Sequence, residues 1–299
     1  MKQPIQNYFR LGTLQWMSYP KTAPMEGLRK IVRDEFFNVI ETKGYGADDA
    51  SAAALLAQSG LGVCFAAQPH QLAGGINPNA VDETERAAAE AALLALLDEA
   101  EALGAEGFAL LAGKWQEETK EIAFTQLLKT VGALCAAAKD KNMCVELEVF
   151  DYDVDKAVLI GPAPLAARFA AEVRKSYDNF GLLVDLSHIP ICHEGIEYAV
   201  RTLAPYATHF HYGNAVMTPG APSYGDKHPR FGFPNSVNGI AELTEFLRVL
   251  RREGFFRPDA PYILSMEVTP QPGEDEDAVI AGTKRALLRA WAALEDEDT

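Results

Sequence analysis

The sequence predicts an α/β protein folded as a single (β/α)8 barrel. Three observations carry that expectation. Short apolar, β-branched stretches alternate with longer Ala-, Leu- and Glu-rich stretches eight times along 299 residues, a typical length for that barrel. No GxGxxG follows the first apolar stretch and no phosphate-loop sequence occurs, which counts against a doubly wound open sheet. Ionisable residues collect at the ends of the later strands, where barrel active sites lie.

The strands are read from apolar runs with period-2 alternation. They are "FRLGTLQW" (Phe9–Trp16), "NVIET" (Asn38–Thr42), "GVCFAA" (Gly62–Ala67) and "GFALLAG" (Gly107–Gly113). The second half gives "MCVELEVF" (Met143–Phe150), "GLLVDLS" (Gly181–Ser187), "THFHYG" (Thr208–Gly213) and "YILSMEV" (Tyr262–Val268). Helical patterns lie between them: Met25–Phe36, Ala47–Ser59, Asp82–Leu103 and Glu118–Lys139. Pro164–Tyr177, Glu194–Leu203, Asn238–Glu253 and Glu276–Ala293 complete the set. Asp82 is placed as an N-cap with Glu85 three residues on, a capping-box spacing. Pro162 and Pro164 sit at a helix start, where proline is tolerated. One domain over 1–299 is expected, with a long irregular segment at about 213–237. A loop of that length inside a compact domain is usually functional.

Composition narrows the function. Hydrophobic residues make up 48% and charged residues 23%, as in ordinary globular chains. The net charge of −15 argues against a nucleic-acid partner, which relies on Lys and Arg to release counterions. Part of the excess is solvated surface and tail, such as "EDEDT" (Glu295–Thr299). The start, "MKQPIQNYFRLG", lacks the apolar core of a signal peptide, and no apolar run reaches membrane-spanning length, so a cytoplasmic location without membrane partners is expected. The four cysteines, Cys64, Cys135, Cys144 and Cys192, form no CxxC pair, so reduced thiols are expected rather than a structural zinc site.

The strand ends carry the chemistry. "ELEVFD" puts Glu146 and Glu148 on one face, "VDLSH" gives Asp185 and His188, "HFHYGN" gives His209 and His211, and "SMEVTP" gives Glu267. Singly, each has a bland use: a paired buried acid, a turn cap, a core histidine. Together they would be four costly buried groups without a common purpose. A divalent cation explains them jointly. Three carboxylates and one imidazole suit Mn²⁺, Mg²⁺ or Co²⁺ better than structural Zn²⁺. In the long segment, "GDKHPRFG" brings Lys227, His228 and Arg230 together, and His228 and Arg230 are the expected substrate contacts. Trp16, Phe65 and Trp115 are either apolar walls for a sugar or packing.

The set "LEV", "DLSH", "HFHYGN" and "MEVTP" resembles the sugar isomerase/epimerase branch of the xylose isomerase-like TIM-barrel superfamily, which includes the D-tagatose/D-psicose 3-epimerases. The motifs cover the last four strands. The resemblance implies a metal held by Glu148, Asp185, His211 and Glu267, with His211 rather than His209 as the ligand. It implies Glu148 and Glu267 as the catalytic acid and base, His188 as a substrate contact, Mn²⁺ as the first expectation (Mg²⁺, Co²⁺ or Zn²⁺ as alternatives), and dimers or tetramers. The reaction implied is proton abstraction next to a carbonyl, through an enediolate, on a ketose, keto-sugar or sugar phosphate. Two departures bear on substrate choice. Asp151-Tyr152 stands where those epimerases carry Asn-Arg, and Asn214 stands where they carry Glu before an Arg-rich loop. Alternative readings are a C-glycoside deglycosidase-like lyase subunit acting on 3-oxo-glycosides, an AP endonuclease IV-like nuclease, and a non-catalytic sugar-binding barrel.

Overall fold

The computed structural model describes residues 3–296. Eight parallel strands close in sequence order into a barrel: β1 (Phe9–Leu14), β2 (Val39–Thr42), β3 (Gly62–Ala66), β4 (Gly107–Leu110), β5 (Cys144–Glu148), β6 (Phe180–Asp185), β7 (Ala207–Gly213) and β8 (Tyr262–Glu267). The last strand pairs with the first, Leu11 opposite Leu264. Closure leaves no free sheet edge.

Eleven helices are described, eight of them covering the barrel. The covering helices are α2 (Pro24–Val32), α3 (Asp49–Ser59), α5 (Glu83–Ala102), α6 (Lys120–Lys139), α7 (Ala163–Val173), α9 (Ile196–Leu203), α10 (Ile240–Arg252) and α11 (Glu276–Asp296). Three short ones escape the sequence pattern: α1 (Gln15–Ser18), α4 (Gln68–Gly74) and α8 (His188–Ile191). Each directly follows a strand at the C-terminal mouth and is too short to show a helical period. α1 also ends β1 at Leu14, two residues before the expected Trp16.

Helix caps follow local chemistry. Asp82 caps α5, its carboxylate accepting from the Thr84 and Glu85 amides at 2.9 and 3.0 Å. α3 ends at Gly60 with φ +74°, a left-handed turn that favours glycine. α6 corrects one expectation, because Glu117–Lys139 is long and apolar enough by composition to cross a membrane. Its apolarity has another use: 56% of that window is buried within the protein, with Leu127, Val131 and Leu134 in the core. Of the acidic tail, residues 297–299 lie outside the described residues. All four cysteines are free thiols.

Register sets the functional end. Asp185 stands beside His211, and Gly213 beside Glu267. All six residues of β6 are buried, so Asp185 reaches the mouth from an apolar strand.

Asp82→Ala removes the α5 cap. It is expected to cost about 1 kcal/mol, read as a lower urea midpoint at unchanged slope. An unchanged midpoint would deny the cap its role.

Candidate active site

Glu148, Asp185 and Glu267 are the last residues of β5, β6 and β8, and His211 stands two residues before the end of β7. One ligand atom from each of these four lies within 4.8 Å of the others, and all four residues are buried. Backbones approach closely here. A Cβ on Gly213 would meet the Glu267 carbonyl oxygen at 2.6 Å, so β7 can carry only glycine beside Glu267.

The two histidines of β7 separate. His211 sets Nδ1 2.7 Å from Glu267 Oε2 and Nε2 3.0 Å from Glu41 Oε1. His209 lies deeper, between Glu41 at 3.1 Å and Glu146 at 3.0 Å, and is outside the four-residue group. Glu41 was not anticipated. It comes from β2, and the only sequence signal was an acid near a strand end.

His188 opens α8. Its Nδ1 donates to the Val149 carbonyl at 3.1 Å, and its Nε2 faces Asp226 Oδ1 at 3.2 Å. His228 reaches the same carboxylate oxygen through Nε2 at 2.5 Å and lies 3.2 Å from Ser187 Oγ through Nδ1. Asp185, His188 and His228 form a second group of ligand atoms within 4.8 Å, sharing Asp185 with the first. Asp226 and Lys156, whose Nζ is 3.1 Å from Asp226 Oδ2, were also not anticipated. Both lie in loops, where no periodicity marks them.

The mouth holds a cavity of about 310 Å³, lined among others by Trp16, Phe150, Gln68, Lys156, Asp226 and His228. Arg230 is not brought there. Its guanidinium is held by Glu274 at 2.7 Å, beside a separate depression lined by Phe231 and Val279. Of the three aromatics, only Trp16 lines the cavity. Phe65 is fully buried and stacked on Phe108, and Trp115 lies under the Lys120 ammonium elsewhere.

Asn214 and Asp151, the two departures noted in the sequence, both organise loops. The buried Asn214 side chain accepts from the Asn238 and Ala215 amides and donates to the Arg230 carbonyl, tying both ends of the 213–239 segment to its middle. Asp151 accepts from the amides of Val154, Asp155, Lys156 and Ala157, folding the loop that delivers Lys156.

Burial and charge divide the acids. Burial pushes Glu148 up to about 7, with Glu267 and Asp185 adding to the effect and His188 opposing it. Burial also raises Glu267, but His228 and His211 outweigh it and hold that carboxyl below its usual range. Burial opposes the charging of His228, yet Glu267 and Asp226 lift it to about 9.

The residues fit a divalent cation. Buried Glu148 Oε1 accepts no hydrogen bond from any described residue, while Oε2 accepts from Gln68 at 2.9 Å. Such an orphaned buried oxygen calls for a partner. The mouth and barrel interior bury the carboxylates of Glu41, Glu146, Glu148, Asp185, Asp226 and Glu267 against four imidazoles, those of His188, His209, His211 and His228. Even with every imidazole protonated and Lys156 paired with Asp226, the six carboxylates outnumber the cationic groups set against them.

Fold and site together define a TIM barrel with an oxygen-rich centre of carboxylates and imidazole at the C-terminal mouth. The chain belongs to the xylose isomerase-like TIM-barrel family, whose model matches residues 33–289. Solved structures with the same architecture include L-ribulose 3-epimerase (17% identity, 97% of this chain and 98% of that one, TM-score 0.73). The IOLI protein with a bound zinc atom matches with 14% identity over 94% and 98% of the two chains (TM-score 0.74). The 3-keto-D-glucoside 4-epimerase YcjR from E. coli matches with 14% identity over 95% and 99% (TM-score 0.69). At such identities these likenesses speak for the fold. No curated protein matches the sequence closely enough to count as a relative.

Asn214→Ala leaves buried amides without acceptors, at a cost of about 1–3 kcal/mol. Limited proteolysis is expected to cut the 214–238 segment faster while the barrel core survives. Equal cleavage rates would remove Asn214 as the tie.

Proposed function

We propose that this chain is a divalent-metal-dependent sugar isomerase or epimerase, moving a proton at the carbon next to a carbonyl of a ketose or keto-sugar. The observation that carries this reading is the pair Glu148 and Glu267. They come from β5 and β8, line one cavity, and have unequal proton affinities. Two carboxyls pushed apart in this way divide acid and base duties. Glu148, poised near neutrality, takes the proton, and Glu267 serves the other face or carbon of the substrate. His188, its ring fixed by the Val149 carbonyl and packed 4.2 Å from Phe150, does not line the cavity itself and would reach a substrate oxygen only through or in place of its partner Asp226, which does. Glu148, Asp185, His211 and Glu267 would hold the metal, which would supply Lewis-acid stabilisation of the negative charge left by proton removal. Mn²⁺ is the expected ion on the hardness of three carboxylates.

The cavity favours an uncharged substrate over a phosphate ester. Lys156 is 3.1 Å from Asp226 and 3.2 Å from Asp155, and Lys227 is 3.0 Å from Asp155. Arg230, the expected anion contact, is occupied by Glu274. Among the described residues lining the cavity, each lysine therefore already has a carboxylate partner. The name of the 3-keto-D-glucoside 4-epimerase neighbour adds 3-oxo-glycosides to the substrates worth trying, on which expulsion of an aglycone would mark the lyase variant of the same chemistry.

A second reading rests on the Asp185–His188–His228 group. Were each group to hold a cation, the pair would supply the chemistry of multi-metal phosphoester hydrolysis. The net charge of −15 weighs against a nucleic-acid substrate.

Purified protein is expected to carry one divalent ion per chain and to exchange deuterium from solvent into a ketose or 3-oxo-glycoside, with phosphate esters poorer. Glu148→Gln and Glu267→Gln are each expected to slow exchange by about 10²–10⁴. Exchange unchanged in both variants would overturn their roles. Two ions per chain with phosphodiester cleavage would favour the second reading.

A further inference from the structure

Glu146, His209, Glu41 and His211 form one buried row of alternating carboxylate and imidazole running up the barrel interior. Successive contacts are 3.0 Å from Glu146 Oε2 to His209 Nδ1, 3.1 Å from His209 Nε2 to Glu41 Oε1, and 3.0 Å from Glu41 Oε1 to His211 Nε2. The row is anchored at its lower end by the Thr208 hydroxyl, which donates to Glu146 Oε1 at 2.9 Å. All four residues of the row are buried, yet neither Glu146 nor His209 lines the cavity at the mouth. Each charge in the row is paired with an opposite one, which is what makes its burial tolerable and its geometry fixed.

We infer that Glu41 is a positioning residue for the metal centre: its carboxylate accepts the His211 Nε2–H, turning Nδ1 toward Glu148, Asp185 and Glu267, while His209 and Glu146 clamp Glu41 from below. The inference rests on the proposed function, since it assigns His211 Nδ1 to the cation. The geometry makes the assignment specific. Both Glu41 oxygens lie within hydrogen-bond distance of His211 Nε2, at 3.0 and 3.1 Å, which commits that edge to Glu41 and leaves Nδ1 facing the centre, 2.7 Å from Glu267 Oε2. The rings of His209 and His211 stand at 89° with centroids 5.0 Å apart, and each presents Nε2 to Glu41, so neither ring can swing without breaking its own bond to that carboxylate. Carboxylate partners of metal-binding imidazoles typically govern metal affinity by fixing ring orientation and basicity.

The test is titration of metal-free protein with Mn²⁺ alone, free ion followed by electron paramagnetic resonance, in wild type, Glu41→Gln and His209→Gln. Glu41→Gln is expected to weaken Mn²⁺ binding about 10–100-fold, while the melting temperature of the metal-free protein moves little. Turnover at saturating Mn²⁺ should recover toward wild type, and Glu41→Asp should fall between the two. Should Glu41→Gln fail to fold, His209→Gln decides by the same reading, with weakening by about tenfold expected. A folded Glu41→Gln that binds Mn²⁺ within about twofold of wild type overturns the inference and leaves the proposed function standing. Wild type that binds no divalent ion overturns both. Binding abolished in His209→Gln but kept in Asp185→Asn would place the ion on the Glu41–His209–His211 group and also overturn it.

Discussion

The structure depends on an electrostatic constraint: a barrel interior that is otherwise apolar must accommodate carboxylates and imidazoles from strand after strand. Ionised groups taken out of water cost several kcal/mol each unless paired. The chain meets this by alternation. Every one of the four buried imidazoles stands between acids, His211 between Glu41 and Glu267, His209 between Glu41 and Glu146. His188 and His228 share Asp226. What alternation leaves over is carboxylate at the top, around Glu148, and under the proposed function that is where the cation would sit. Partner distance separates Glu148 from Glu267: Glu267 has a hydrogen-bonding imidazole at 2.7 Å, whereas Glu148 Oε1 has only the His188 imidazole at 3.4 Å and accepts no hydrogen bond from it.

Strand geometry then decides who can take part. Side chains alternate faces along a strand, so Glu146 and Glu148 both look into the barrel, as do His209 and His211. Each pair supplies one member to the mouth and one to the layer beneath. The lower members meet each other, at 3.0 Å, and connect to His211 through Glu41. The repeat of two that builds the strands thus also builds a two-storey site, in which the mouth is held from below by groups that never meet the cavity.

The parts legible in the sequence were those written in periodic segments. All eight strands showed themselves as apolar runs, and acids and imidazoles near the ends of such runs stood out, Glu146, Glu148, Asp185, His188, His209, His211 and Glu267 among them; the choice of Glu148, Asp185, His211 and Glu267 from that set came from the family resemblance. Glu41 did not stand out, because "NVIET" is short and a single glutamate before its last residue shows no pattern. Its role exists only across the closed barrel, opposite a residue 170 positions away. Asp226, Lys156 and Gln68 sit in loops or a single short helix, where no pattern predicts direction. Arg230 shows that charge in a loop carries no direction. Its charge and neighbours suggested a substrate contact, but Glu274, on the far side of β8, reaches it first.

Loop chemistry also accounts for the way this chain departs from the epimerases it resembles. Where those carry polar and basic residues after the fifth and seventh strands, Asp151 and Asn214 here spend their hydrogen-bonding capacity on backbone amides and a carbonyl. The side chains that enter the cavity are instead Lys156, Asp226 and His228, delivered from further along those loops. Asp226 is the pivot, since it meets His188, His228 and Lys156 at once. A substrate oxygen that bonds His188 must compete with that carboxylate. Under the proposed function, such competition favours substrates whose hydroxyls can donate to Asp226 while a carbonyl faces His188, and disfavours an anionic group, which Asp226 would repel. Specificity would then rest on a carboxylate that the strands position only indirectly, through the loops that Asp151 and Asn214 hold in shape.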